Sequence, residues 1–156
     1  MRFSLVDRIV ALAPGESITA VKNVSSAEEY LADHFPGFAV LPGVMMVETL
    51  VQAGAWLIRA TDDFQHSVVL LKQARAVKFN NFVRPGQALT VRLSIQSRGE
   101  GETTLKAQGE VDAQSAVSAR LTLGHFNLAD KNPALVESDA ARVEVLRRQF
   151  AEIWPG

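Results

Sequence analysis

The 156-residue chain contains no cysteine, which removes disulfide frameworks, thiolate nucleophiles and Cys-ligated zinc or iron–sulfur centres together and fits a reducing cytoplasm. Histidine is scarce: His34, His66 and His125 stand too far apart for any usual ligand motif, so no metal site is expected. Excess charge of either sign is missing as well. Lys plus Arg number 16 against 17 Asp plus Glu, a net −1, so no overall positive field exists to hold a nucleic-acid backbone. No uninterrupted apolar run reaches membrane-spanning length. The nearest, from Phe38 to Ala60, is broken by Pro42 and Gly43 and carries Glu48 and Gln52, as a buried helix of a soluble protein would. Charges at Arg2, Asp7 and Arg8 exclude the apolar core of a secretion signal at the N-terminus. A glycine-rich phosphate loop and a nucleophile elbow are lacking too, since Gly99-Glu100-Gly101 falls between strands and no serine has the elbow context. No cofactor is expected, and residues 1–156 suit one domain.

What is present is regular patterning. Leu5–Ala13 and Ser17–Val24 flank the turn Ala13-Pro14-Gly15-Glu16 and predict a hairpin. A short helical turn over Ala27–Leu31 precedes an irregular stretch through His34, Phe35, Pro36, Gly37 and Pro42. Val44 to about Ala60 has no proline and one glycine, Gly54, and predicts the longest helix. A β-rich run follows over Val68–Asn80. Then Leu89/Val91/Leu93/Ile95, Leu105/Ala107/Gly109/Val111 and Val117/Ala119/Leu121/Leu123 alternate with polar residues, the period-two mark of half-buried strands. Short turns between them predict an antiparallel meander. A final helix is expected over residues 138–153, with Ser138 as its cap and Val143, Leu146, Phe150 and Ile153 on one stripe. The element order gives an α+β architecture, an antiparallel sheet wrapped around a long central helix, in outline a hot-dog fold.

At about 100° per residue, Glu48, Gln52 and Arg59 share one narrow seam of the long helix. That seam reads equally as a solvent-facing side, but Leu50, Met46, Trp56 and Leu57 make the other faces too apolar for a half-exposed helix. Glu48 is therefore expected to line a pocket or interface, where desolvation would favour its protonated form. His34 sits in a Pro/Gly-rich loop, the usual setting of catalytic residues. His66 is expected to face solvent, and His125 to be structural or at the surface.

The segment His34-Phe35-Pro36-Gly37-Phe38-Ala39-Val40-Leu41-Pro42-Gly43-Val44-Met45-Met46-Val47-Glu48, extending to Gln52, closely resembles the signature of the hot-dog 3-hydroxyacyl-acyl-carrier-protein dehydratases of bacterial fatty acid synthesis. The resemblance covers roughly residues 3–126 and leaves out the C-terminal helix. It implies that His34 and Glu48 form the catalytic pair, one from each subunit of a homodimer; a trimer of dimers also occurs among relatives. Glu at position 48, where the dehydratase–isomerase branch carries Asp, favours simple dehydration. An imidazole suits removal of the proton α to a thioester, and a carboxyl group suits protonation of the departing β-hydroxyl. Backbone N–H groups at Gly43 would receive the developing oxyanion. Gln52 either orients Glu48 or makes an inert polar contact. Phe35, Phe38, Met45, Met46, Val47 and Leu50 would wall an acyl tunnel or simply fill the core.

Between Asp63 and Glu100 lie Lys72, Arg75, Lys78, Arg84, Arg92 and Arg98 with no acidic residue. Lys72, Arg75, Lys78 and Arg84 are the expected docking groups for an acidic acyl carrier protein and the phosphopantetheine that carries the substrate; plain solvation of strand arginines is the alternative. Asp33, Ala39, Asn80, Asn81 and Gln87 depart from the family pattern. An acyl thioesterase and a non-catalytic acyl-thioester binding module remain as alternatives.

Overall fold

The computed structural model describes residues 3–156; Met1 and Arg2, which open the charged N-terminal stretch, lie outside them. Alternation becomes one six-stranded antiparallel sheet. Its strands are β1 (Arg8–Ala13), β2 (Ser17–Asn23), β3 (Val68–Phe79), β4 (Ala88–Gly99), β5 (Glu102–Val111) and β6 (Gln114–Phe126), in the spatial order β1-β2-β4-β5-β6-β3. The expected meander is β4-β5-β6. β3 follows the long helix in sequence but, among the described residues, pairs only with β6, so it closes the far end of the sheet as a free edge.

The helix α1 (Gly43–Thr61) packs across the sheet, touching β2 to β6. Leu89, Val91, Leu93, Leu105, Leu121 and Leu123 point inward from three strands and meet Leu50, Leu57 and Ile58 in the core. Gly54 sets how closely helix and sheet approach: a Cβ there would stand 2.7 Å from Leu105 Cδ1, 3.1 Å from Leu123 Cδ1 and 3.2 Å from Leu93 Cδ2. Leu50, expected among the tunnel residues, is fully buried in this core instead. The helix seam that points away from the sheet is the one carrying Glu48 and Gln52.

The C-terminal helix α2 (Val136–Ile153) begins two residues before Ser138, which is exposed in its first turn and caps nothing. Initiation instead runs through the 3-10 turn Pro133–Leu135, where the Asn132 side chain accepts from Ala134 N–H. The expected stripe of Val143, Leu146, Phe150 and Ile153 does face the core. Phe150 meets Trp56 and Phe64 with ring centroids 5.9 and 5.4 Å apart. Asp139 tethers the start of α2: it accepts from Leu128 N, Ala129 N and Ser67 Oγ. Burial raises its carboxyl pKa, but those three hydrogen bonds and nearby Arg142 outweigh it and hold the group below its ordinary value. No helix of the described residues is long and apolar enough to cross a membrane.

Candidate active site

Sequence chemistry fixes the loop before α1. Pro36 supplies φ near −65° and Gly37 the left-handed φ of +77° that a tight turn demands. Phe35 and Phe38 exchange backbone hydrogen bonds of 3.0 and 2.9 Å around it. His34 is gripped twice by Val40. Its carbonyl accepts from Val40 N at 3.0 Å, and its Nδ1 lies 3.2 Å from Val40 O. With Nδ1–H donated to that carbonyl, Nε2 carries the lone pair. The ring also stacks on Phe35, 4.1 Å between centroids. Leu41 N donates to Val83 O, tying the loop to the β3–β4 connection.

His34 opens into a cavity of about 450 Å³ whose walls include Phe35, Gly43, Met46, Phe79 and the turn Asn80–Phe82. Gly43 begins α1 here. A Cβ on it would meet Phe79 Cε1 at 2.9 Å, so only glycine lets the Phe79 ring close over the helix end. Met45 and Met46 both donate to Pro42 O, and the first N–H groups of the helix, those of Gly43 and Val44, are left without an intrahelical acceptor. The cavity thus joins an imidazole to the positive end of a helix dipole.

Glu48 stands elsewhere. Five residues beyond Gly43, it is turned by about 140° around the helix and lines a second cleft of about 800 Å³ between α1 and α2, with Gln52, Trp56 and Arg59. Gln52 fixes it. The Gln52 Nε2 group donates to Glu48 Oε1 at 3.0 Å and to Phe3 O at 2.8 Å, while its Oε1 accepts from Leu5 N at 2.9 Å. The carboxyl group is therefore held by an amide that is itself clamped to the N-terminal segment. Arg59, deeper in the cleft, lies over Trp56 at 5.0 Å, and burial, aided by Arg142, pushes its pKa down to about 10.

Of the expected tunnel residues, Phe35 and Met46 wall the His34 cavity. Met45 and Val47 are half-buried against the core, and Phe38 is exposed, edge-on to Phe82 at 5.5 Å beneath the Arg84 guanidinium at 4.7 Å. Three of the six clustered cations are neutralised: Lys72 by Glu102, Arg92 by Glu110 and Arg98 by Asp62, at 2.6–2.7 Å. Arg75, Lys78 and Arg84 form no ion pair among the described residues. Gln87 accepts from Arg84 N and donates to Asp112, so it braces the turn before β4.

Sequence reasoning missed three features. Asn80, Asn81, Phe79 and Phe82 line the His34 cavity, which an Asn pair between aromatics after a strand could have suggested. The edge strand β3 exposes Leu70, Leu71, Val77 and Phe79, and Val44 at the helix start is 74 % exposed, so large apolar side chains are left in solvent along the free edge and at the helix start. His66, expected to face solvent, is half-buried, its ring tilted 46° to that of the buried His125 with centroids 4.8 Å apart. A left-handed turn at Asp63 and Phe64 folds it back onto the sheet, a bend no periodicity reveals.

The family model described as a FabA-like domain matches residues 1–120 of the chain. The chain belongs to the FabA-like family. Among the FabA-like protein's curated relatives, the 3-hydroxyacyl-[acyl-carrier-protein] dehydratase FabZ of Levilactobacillus brevis is 39% identical over 117 residues, 75% of this chain and 79% of the relative. The FabZ dehydratase of Janthinobacterium sp. (strain Marseille) is 38% identical over 135 residues, 83% and 85% of the two chains. Solved structures agree on the hot-dog fold. The dehydratase heterocomplex ApeI:P of Xenorhabdus doucetiae matches with TM-score 0.68 at 16% identity over 85% of this chain and 90% of that one. A mutant thioesterase of Pseudomonas aeruginosa matches at 0.61 and 20%, covering 76% and 80%. The FabA-like match ends within β6, so α2 lies beyond it.

Proposed function

We infer that this FabA-like protein is a 3-hydroxyacyl-acyl-carrier-protein dehydratase, interconverting a 3-hydroxyacyl thioester with the trans-2-enoyl thioester and water, and that two copies of the chain complete each active site. The observation that carries this reading is the separation of His34 and Glu48 into different clefts of one chain, within a family whose curated relatives are dehydratases. A twofold axis beside α1 would bring the Glu48 of one copy against the His34 of the other. The free edge of β3 and its exposed Leu70, Leu71, Val77 and Phe79 support that axis, because an unpaired apolar strand edge is satisfied by a second copy of itself.

In this arrangement His34 Nε2 takes the proton from C2, and that C–H electron pair becomes the C2–C3 double bond. The C3–O bond breaks as Glu48 protonates the departing hydroxyl, which leaves as water. Charge building on the thioester oxygen is met by the N–H groups of Gly43 and Val44 at the positive end of α1. Gln52 acts as a positioning residue for Glu48. Both protons are handled by side chains, so the reaction needs no cofactor beyond the phosphopantetheine that the substrate brings. Arg75, Lys78 and Arg84 are the cations free to meet an acidic carrier protein, whereas Lys72 is occupied by Glu102. As a carrier-dependent enzyme it is expected in the cytoplasm.

The test follows the absorbance of the conjugated enoyl thioester with pure protein and carrier- or CoA-linked substrates, run in both directions. His34→Ala and Glu48→Gln are each expected to lower kcat by about 10²–10⁴-fold with little change in Tm. Absence of conversion on every substrate would overturn the assignment, and free thiol released without enoyl formation would replace it with a thioesterase.

A further inference from the structure

At the opposite end of α1 from the His34 cavity, about 28 Å along the helix at 1.5 Å per residue, three potential ligands converge: Asp62 at the helix C-cap, His66 on the turn before β3, and His125 near the end of β6. Each offers one ligand atom, and these atoms lie within 4.8 Å of one another. Asp62 Oδ2, His66 Nδ1 and His125 Nδ1 are all buried, and none has a hydrogen-bond partner among the described residues; His66 Nδ1 stands 3.8 Å from Asp62 Oδ2. His125 itself is only 6 % exposed. Buried polar atoms left unsatisfied on three neighbouring residues are costly unless something satisfies them.

From this convergence we propose that Asp62, His66 and His125 form a binding site for a divalent first-row cation of the zinc type, with solvent completing a tetrahedral set. The donor chemistry fits: two imidazoles and one carboxylate suit such ions, and ligand atoms less than 5 Å apart need to close by under about 1 Å each to reach metal–ligand distances of about 2.0–2.2 Å. Outer contacts hold the ligands in place. His125 Nε2 lies 3.2 Å from Thr103 Oγ1, which, when it accepts from Nε2–H, leaves the lone pair on Nδ1. Arg98 Nη2 donates to Asp62 Oδ1 at 2.6 Å and leaves Oδ2 free. Burial, with His66 and Arg98 adding to it, lowers the His125 pKa despite Asp62, favouring the neutral, ligating imidazole. A carboxylate at a helix C-terminus is opposed by the dipole, and a bound cation offsets that opposition. The ion would staple α1, the turn into β3 and the end of β6, remote from the catalytic groups and independent of how those groups work.

The experiment is a calorimetric titration of the intact protein, its purification tag removed and residual metal stripped with a chelator, using Zn²⁺ and, in parallel, Co²⁺ followed by its visible absorption. The expected result is saturable uptake of about one ion per chain, with a Tm that rises with Zn²⁺ and falls back when chelator is added. His66→Ala and Asp62→Asn, which spare the buried His125, are each expected to weaken binding by at least about tenfold, and Thr103→Val by a similar factor through the outer contact. His34→Ala binds as wild type. The proposal is overturned if neither ion binds saturably, if binding survives His66→Ala and Asp62→Asn at unchanged affinity, or if it is lost in His34→Ala.

Discussion

Replacing Gly54 by alanine sets two opposed effects of known size against each other. Within a helix, Gly→Ala by itself stabilises by about 1 kcal/mol, because glycine loses more backbone entropy on folding. In this protein the new methyl group would lie 2.7, 3.1 and 3.2 Å from terminal carbons of Leu105, Leu123 and Leu93. All three leucines are buried in the core, so none can swing into solvent. Relieving the contact means lifting α1 from the sheet or forcing leucines off their rotamers, at about 1–3 kcal/mol. The contact prevails by about 1 kcal/mol, and for a chain of this length the Tm is expected to fall by about 2–4 °C. Thermal unfolding followed by circular dichroism at fixed protein concentration measures it. Leu105→Val should relieve part of the clash, so the double variant is expected to be more stable than the sum of the single effects predicts. A Gly54→Ala protein with raised Tm, or strict additivity with Leu105→Val, would refute the claim that this glycine sets the helix-to-sheet distance.

Other consequences follow from the free edge and from the tether of α2. Introducing Leu70→Glu together with Val77→Glu on β3 should shift sedimentation toward monomers and abolish turnover with it; a fully active monomer would contradict the shared site. Asp139→Asn should lower Tm at neutral pH, because the carboxylate holds Ser67, Leu128 and Ala129. Since the folded pKa of Asp139 lies below its ordinary 3.8, this stabilisation is fully present above that value and fades as pH falls through the folded pKa. The Tm gap between wild type and variant should therefore close in acid, and a gap that widens there would be inconsistent with a charged tether.

Much of this was legible in the chain itself. Strict alternation in Leu89–Ile95, Leu105–Val111 and Val117–Leu123 fixes which side chains face the helix, and the proline-free run that follows Pro42 locates α1 to within a residue of its observed start. Glu48 and Gln52 could be placed on one seam by angle alone, and Gln52 is found donating to Glu48. What eluded the sequence depends on where distant segments meet. Ser138 looks like a cap, yet Pro133 starts the turn that feeds α2. Leu50 lies on the helix face turned to the sheet and so belongs to the core rather than to a tunnel. The gathering of Asp62, His66 and His125 needs a left-handed bend and the pairing of β3 with β6, neither of which leaves a periodic trace.

Subunit complementation tests the shared site most directly. His34→Ala and Glu48→Gln proteins, each inactive alone, are mixed in equal amounts and allowed to exchange subunits. In a mixed dimer one site carries both substitutions and the other neither, so random exchange is expected to restore about one quarter of the wild-type activity. If activity stays at the level of the separate variants after exchange is complete, His34 and Glu48 do not act across a twofold axis.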